Sequence, residues 1–227
     1  RPEAPFDTAA GVLAVTDNVW PGIQPRQAGG GDAGPTGLPW LDSNGWYAQL
    51  ARARTRAGVW LMFDPPAARN VIQPQAYAMA AADAEAAGAS WVISLDPALR
   101  LRLAGGEAAA LETWKGLLGA VSFFREHRAW RSYQPLGVVG VLSDYSGGNF
   151  DMSGEILNLM TRLGTPLRVF WKDAAVQESF TGLKAVVYAD GEPLQPELRK
   201  KILAFVQNGG LLITGPGGGS EGKPLAS

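Results

Sequence analysis

The stretch that decides the fold is "VGVLSDYSGGNFDMSGEILNLM", Val139 to Met160. It opens on an apolar, β-branched run, passes through a loop with paired glycines, and continues into a helical pattern. A strand that feeds a loop and then a helix is the repeating unit of α/β architecture, and that loop is where such folds receive ligands. The loop has three readings: a phosphate cradle, a nucleophile elbow, or a plain tight turn. A cradle needs glycines spaced so that backbone N–H groups converge, and an elbow needs Ser or Cys at the turn with a His to activate it. Here Ser143 and Ser146 flank Asp144, and Gly147-Gly148 follow. Neither Gly-x-Ser-x-Gly nor Gly-x-Gly-x-x-Gly fits, so we expect at most a generic switch-point loop open to a polar ligand.

The same alternation runs outward along the chain. "GVLAVTD" (Gly11 to Asp17), "VWLMFD" (Val59 to Asp64), "WVISLD" (Trp91 to Asp96), "GVVGVLSD" (Gly137 to Asp144), "LRVFW" (Leu167 to Trp171), "KAVVYAD" (Lys184 to Asp190) and "LLIT" (Leu211 to Thr214) have the length and composition of buried parallel strands. Helices are expected over Asn44 to Ala57, Gln73 to Ala87, Glu107 to Trp130, Ser153 to Leu163 and Pro193 to Gln207. The longest carries an apolar stripe of Leu111, Trp114, Leu118 and Val121, and the last ends at Asn208-Gly209-Gly210, a C-cap signal. The fold class expected is therefore α/β. A seam is expected at "RSYQPLG", Arg131 to Gly137, dividing residues 1–135 from 136–227. The Gly- and Pro-rich stretch from Trp20 to Trp40 is expected to be an irregular excursion. The chain begins at Arg1 and ends soon after "GGLLITG", so a fragment or a processed chain is expected.

Five apolar runs close on an aspartate: Asp17, Asp64, Asp96, Asp144 and Asp190. In parallel α/β folds the carboxyl ends of strands converge on one face, where ligands bind. Carboxylates gathered there suit glycosidic chemistry, in which one protonates the leaving oxygen and another acts as nucleophile or base. Each aspartate has an equally simple role as a turn or helix cap. Asp64 and Asp96 are the candidate catalytic pair, because one helix joins their strands and a right-handed βαβ unit sets both strand ends on one face. Pro65-Pro66 follows Asp64 and Pro97 follows Asp96, so each is expected to start a stiff extended turn rather than to cap a helix directly. Asp17, Trp20, Trp40, Asp144 and Asp190 are candidate substrate-binding residues. The rings of Trp20, Trp40 and Trp46 lie in or beside the excursion, where they suit either stacking on a sugar or simple packing. Trp60, Trp91, Trp114 and Trp171 fall within strand or helix patterns and are expected in the core.

"GVVGVLSDYSGG" with its following helix, and "AVVYADGEPLQPELRKKILAFVQNGGLLITG", resemble the class I glutamine amidotransferase-like fold. The form resembled is the degenerate one that follows the barrel in many bacterial glycoside hydrolases, such as the trimerisation domain of β-galactosidases. The resemblance covers about Leu136 to Gly215. It implies a role in assembly, with a homo-oligomer as the state to test. True amidotransferases use a cysteine nucleophile, and this chain has no cysteine, so a non-catalytic relative is implied. Residues from Gly11 to Arg131 resemble the closing βα units of the TIM barrels to which such domains are attached.

Composition narrows the partners. A formal net charge of −1, with scattered Lys and Arg, provides no field for nucleic acid or an anionic membrane. No apolar run approaches the roughly 20 residues that a bilayer needs. His127 is the only histidine, which excludes a His-cluster metal site; it is expected to be a polar residue on the long helix. "GGGSEGKP", Gly217 to Pro224, nearly matches a phosphate-binding loop, but Pro224 stands where a Mg²⁺-binding hydroxyl is required. No metal and no cofactor is therefore expected. The function expected is a glycoside-hydrolase-like protein acting on or binding carbohydrate. The alternative is a non-catalytic α/β binding or interaction module.

Overall fold

The computed structural model describes residues 6–7, 12–15, 22–24, 40–42, 44–62, 73–144, 150–189 and 192–215. The fold is α/β, with parallel strands in two four-stranded sheets and six α-helices among the described residues. The chain divides into two compact units. The N-terminal unit is Pro5–Ala48 with Ala57–Tyr133; the C-terminal unit is Arg1–Ala4, Gln49–Arg56 and Gln134–Ser227.

In the N-terminal unit β1 (Phe6–Asp7) pairs antiparallel with β2 (Val12–Val15), which pairs in parallel with β5 (Gly58–Leu61) and through it with β6 (Ser90–Trp91). Within the expected excursion, Gly22–Gln24 forms β3 and pairs antiparallel with β4 (Trp40–Asp42). Along β5 burial alternates. Val59 and Leu61 are 3% and 0% exposed, whereas Trp60, expected in the core, is 46% exposed on the other face.

Helix α1 (Gly45–Arg54) buries Trp46 against Tyr47, so that ring packs rather than waiting for a ligand. Helix α2 (Pro74–Ala86) starts with proline at its first position, where no N–H is required, and Gly88 follows at φ 78° to release the chain. Its buried side is Tyr77, Ala80, Ala81 and Ala84. Small side chains let α4 (Ala108–Glu126) approach closely, and α4 buries Ala110 and Leu117. The stripe expected to face the core is displaced in consequence: Leu111 and Leu118 are exposed. A further helix, α3 (Pro97–Ala104), was not expected, and beyond α4 the chain tightens into a 3₁₀ turn over Arg128–Ser132.

The C-terminal unit holds β7 (Val139–Ser143), β8 (Leu167–Trp171), β9 (Ala185–Tyr188) and β10 (Leu211–Thr214), all parallel, in the order β10-β9-β7-β8. Strands β7 and β9 are adjacent and parallel, with Val139 opposite Ala185 and Leu142 opposite Tyr188. Read in chain order this is 2-1-3-4, the start of the flavodoxin-like order, with its switch point between β7 and β9. Helix α5 (Phe150–Arg162) follows β7, and α6 (Pro196–Gln207) joins β9 to β10. The core gathers Leu142, Phe170, Val186 and Tyr188 from the strands against Leu198 and Ile202 of α6. Each such fully buried aliphatic side chain is worth about 1.5–3 kcal/mol. The β8-to-β9 connection contains no α-helix. Lys201 of α6 holds it instead, donating to the carbonyls of Ala175 at 2.7 Å and Val176 at 2.8 Å, and also to that of Glu178.

Candidate functional site

The carboxyl end of the C-terminal sheet is built by register. Ser143 lies opposite Trp171 in the parallel β7–β8 ladder, so the next residues, Asp144 and Lys172, leave adjacent strands side by side. Lys172 Nζ is 2.9 Å from Asp144 Oδ2 and 3.3 Å from Glu192 Oε2. The Asp144 and Lys172 side chains are only 6% and 12% exposed, whereas that of Glu192 is 46% exposed. The Tyr188 hydroxyl donates to the Glu192 carbonyl at 2.6 Å, which fixes the loop that carries this outer carboxylate. Beneath them the buried hydroxyls of Ser143 and Ser153 are hydrogen-bonded to each other.

This arrangement is neutralised rather than reactive. The Asp144 charge is met by an ammonium, and Ser143 is engaged by another serine. The single histidine, His127, belongs to the other unit. A serine without a base to take its proton is a weak nucleophile. What the switch point offers is a polar rim of fixed charges around Lys172. Among the described residues no group of three or more His, Asp or Glu side chains gathers to hold a metal ion.

In the N-terminal unit Asp96 does not close a strand. Strand β6 ends at Trp91, and Asp96 is the N-cap of α3, accepting from the Leu99 N–H at 2.9 Å. The expectation that Pro97 rules out a direct cap is corrected by the position of that proline. It takes the first helical position, where its missing N–H costs nothing and its φ already suits the helix. The other carboxylate oxygen accepts from the hydroxyl of Tyr77, in the first turn of α2. Burial opposes the charge on Asp96, but donors from Tyr77, Leu99 and Ala98 outweigh it and hold the carboxyl below its usual range. Burial, and then the adjacent carboxylate, push the Tyr77 hydroxyl well above its ordinary value. Asp96 is thus a fixed, ionised carboxylate, the state of a nucleophile or base and not of a proton donor.

The remaining sequence-derived sites divide simply. Trp40 begins β4, opposite Gln24. Asp17, Trp20, Asp64 and Asp190 lie outside the described residues. Asp96 and Asp144 belong to different units. The partners that sequence inspection missed are Tyr77, Lys172 and Glu192. Lys172 follows "LRVFW" directly, so a strand-end lysine beside a strand-end aspartate was a legible signal once the two strands were paired.

No family model and no curated protein sequence matches this chain. Among solved structures it is similar to alpha-L-fucosidase isoenzyme 2 from Paenibacillus thiaminolyticus, with a TM-score of 0.49 and 17% identity. The similarity covers 74% of this chain and 26% of the fucosidase, so the chain spans about a quarter of that enzyme's length.

Proposed function

We propose that the chain is glycoside-hydrolase-like and acts on or binds carbohydrate, with its N-terminal unit a segment of TIM-barrel-like wall. The observation that carries this is the one-sided burial of β5, an inner strand of its sheet. Val59 and Leu61 are covered while Trp60 is open. In a barrel wall one set of alternate residues packs on helices and the other faces the interior, whereas a doubly wound sheet is covered on both sides. In such a wall the loops after β5 and β6 reach the ligand-binding face, and Asp96 acts there as the ionised nucleophile or base. Asp64 is its proposed acid partner, and Asp17, Trp20 and Trp40 contact the sugar. This chemistry uses carboxylates alone and calls on no metal or cofactor.

The C-terminal unit, broadly residues 136–227, is proposed as a non-catalytic amidotransferase-like module that supports assembly as a homo-oligomer. Asp144 and Asp190 contribute polar contacts at the end of its own sheet. Its support is the 2-1-3-4 order, the absence of cysteine and the engaged serine pair.

A second interpretation, a non-catalytic α/β binding module throughout, is favoured by one fact: both Asp96 oxygens already hold structural donors. Turnover of 4-nitrophenyl glycosides by the protein and by its Asp64→Asn and Asp96→Asn variants separates the two. Asparagine caps a helix about as well as aspartate, so Asp96→Asn removes the charge with little structural cost. A fall of roughly a hundredfold or more at an unchanged melting temperature supports the catalytic role. Equal turnover in the variants removes the pair from catalysis, and no turnover on any glycoside leaves the binding module.

A further inference from the structure

At the end of α4 the chain assembles a ring surface that the proposed carboxylate chemistry does not use. Phe123, His127 and Trp130 follow one another at spacings of four and three, which brings them to one side of the helix end. Their rings close a triangle: the centroids of Phe123 and His127 are 4.4 Å apart, those of His127 and Trp130 4.3 Å, and those of Phe123 and Trp130 5.7 Å. The Phe123–Trp130 pair meets edge to face, and Phe124 braces Phe123 in the same way at 5.2 Å. Phe123 and Trp130 nonetheless remain 46% and 48% exposed.

The triangle is held before any ligand arrives. The Trp130 N–H bonds the His127 carbonyl at 2.9 Å, and the Tyr133 N–H bonds that of Trp130 at 3.0 Å. Arg131, within the same 3₁₀ turn, is tied to Glu85 of α2, with its Nε 3.0 Å from the carboxylate. Ring planes fixed in this way lose little freedom on binding.

The polar edge is defined as well. His127 Nδ1 lies 2.7 Å from the Phe123 carbonyl. A carbonyl only accepts, so Nδ1 carries a proton here, and in the Nδ1–H tautomer Nε2 is an acceptor. Trp130 adds an indole N–H donor. Half-exposed ring faces with an indole donor and an imidazole nitrogen beside them match a pyranose. A sugar presents an apolar C–H face, and its hydroxyls both donate and accept. Arg125, Glu126 and Arg128, neighbours of these rings in sequence, are exposed. On the preceding turns of α4, Gly116 and Gly119 have no atom within 4 Å of where a Cβ would stand, so the approach to Phe123 is open.

We propose that Phe123, His127 and Trp130 form a carbohydrate-binding platform, on which a pyranose of a polysaccharide stacks against Trp130 while His127 Nε2 accepts one of its hydroxyl protons. The platform goes beyond the proposed catalytic carboxylates and works whether or not the chain turns over substrate.

The test is native affinity electrophoresis in gels containing β-glucan, xylan, galactomannan, arabinogalactan or starch, with size-exclusion chromatography and melting curves on the same samples. Retardation is expected in at least one gel. Trp130→Ala should weaken it at least tenfold, and His127→Phe, which keeps the ring and loses the acceptor, about threefold to tenfold. Melting, oligomeric state and any turnover of 4-nitrophenyl glycosides should stay as in the parent protein. Should Trp130→Ala fold poorly, Trp130→Phe keeps the ring and is expected to show intermediate retardation. Free migration in all five gels overturns the proposal, as does retardation untouched by these variants. A change of oligomeric state in Trp130→Ala without a change in retardation overturns it too, and assigns the rings to contact between copies.

Discussion

Lys172 and Asp144 meet at 2.9 Å because β7 and β8 run parallel in a register that ends both strands together. The pair is an outcome of sheet alignment and not of local sequence, since 28 positions separate the partners. It turns the strand-end carboxylate of a ligand-binding fold into half of a buried ion pair.

Removing one half should therefore cost more than the pair itself contributes. Lys172→Met takes away the ammonium beside the buried Asp144 carboxylate, and we expect a loss of about 3–5 kcal/mol in urea unfolding. Adding Asp144→Leu to that variant should restore much of the loss, because two apolar side chains in place of an ion pair are often neutral. A single variant as stable as the parent protein would mean that solvent already screens the pair.

Close approach of the same two strands makes a second demand, on Gly137. A Cβ there would stand 2.4 Å from the Leu167 carbonyl carbon and 2.6 Å from the Arg168 nitrogen, both backbone atoms that no rotamer change can move aside. Gly137→Ala should destabilise the protein by about 1–3 kcal/mol through forced separation of the chains. Gly116→Ala, where no atom lies within 4 Å, should instead stabilise α4 by about 0.5–1 kcal/mol. Melting curves of the two variants shifting in the same direction would contradict this account.

The elements legible in sequence were those whose signal is local. Leu167–Trp171 and Leu211–Thr214 are strands at their expected limits, because short apolar runs between Gly, Pro and polar residues leave little else for the backbone to do. Gln73 and Ala87, the expected ends of a helix, are the caps of α2. Elsewhere the deciding contact was distant. The inward face of α4 is set by the alanines of α2, which a search for large apolar residues overlooks. Helix α3 buries only Leu99, so "PALRLRLA" shows no apolar face. Asp144 could be placed at a strand end from sequence, but Lys172 required the register. Phe123, His127 and Trp130 stand at helical spacing in the sequence, but their ring contacts came only with the structure.

Asp83 should give the protein a measurable pH dependence. It lies on α2 and accepts from the backbone N–H of Asn44, a fully buried residue at the start of α1, with 2.6 Å between Asn44 N and Asp83 Oδ2. Burial, the larger influence, pushes its carboxyl up to about 6, while hydrogen bonds from Asn44 and Gly45 restrain the rise. An unfolded aspartate titrates near 3.9. Between those values the unfolded chain has lost the proton and the folded chain still holds it, so stability falls as pH rises. The contribution is complete below about pH 4 and is lost by about pH 7, a change of about 3 kcal/mol at most, since Asp83 keeps partial solvent access. Asparagine accepts the same N–H groups without titrating. Urea unfolding of the parent protein and of Asp83→Asn at pH 4, 5, 6 and 7 isolates the effect from every other carboxyl. The stability of the parent relative to the variant should decline steadily across that range. A difference that rises with pH instead would mean that the N–H groups at the start of α1 win over burial and hold Asp83 ionised.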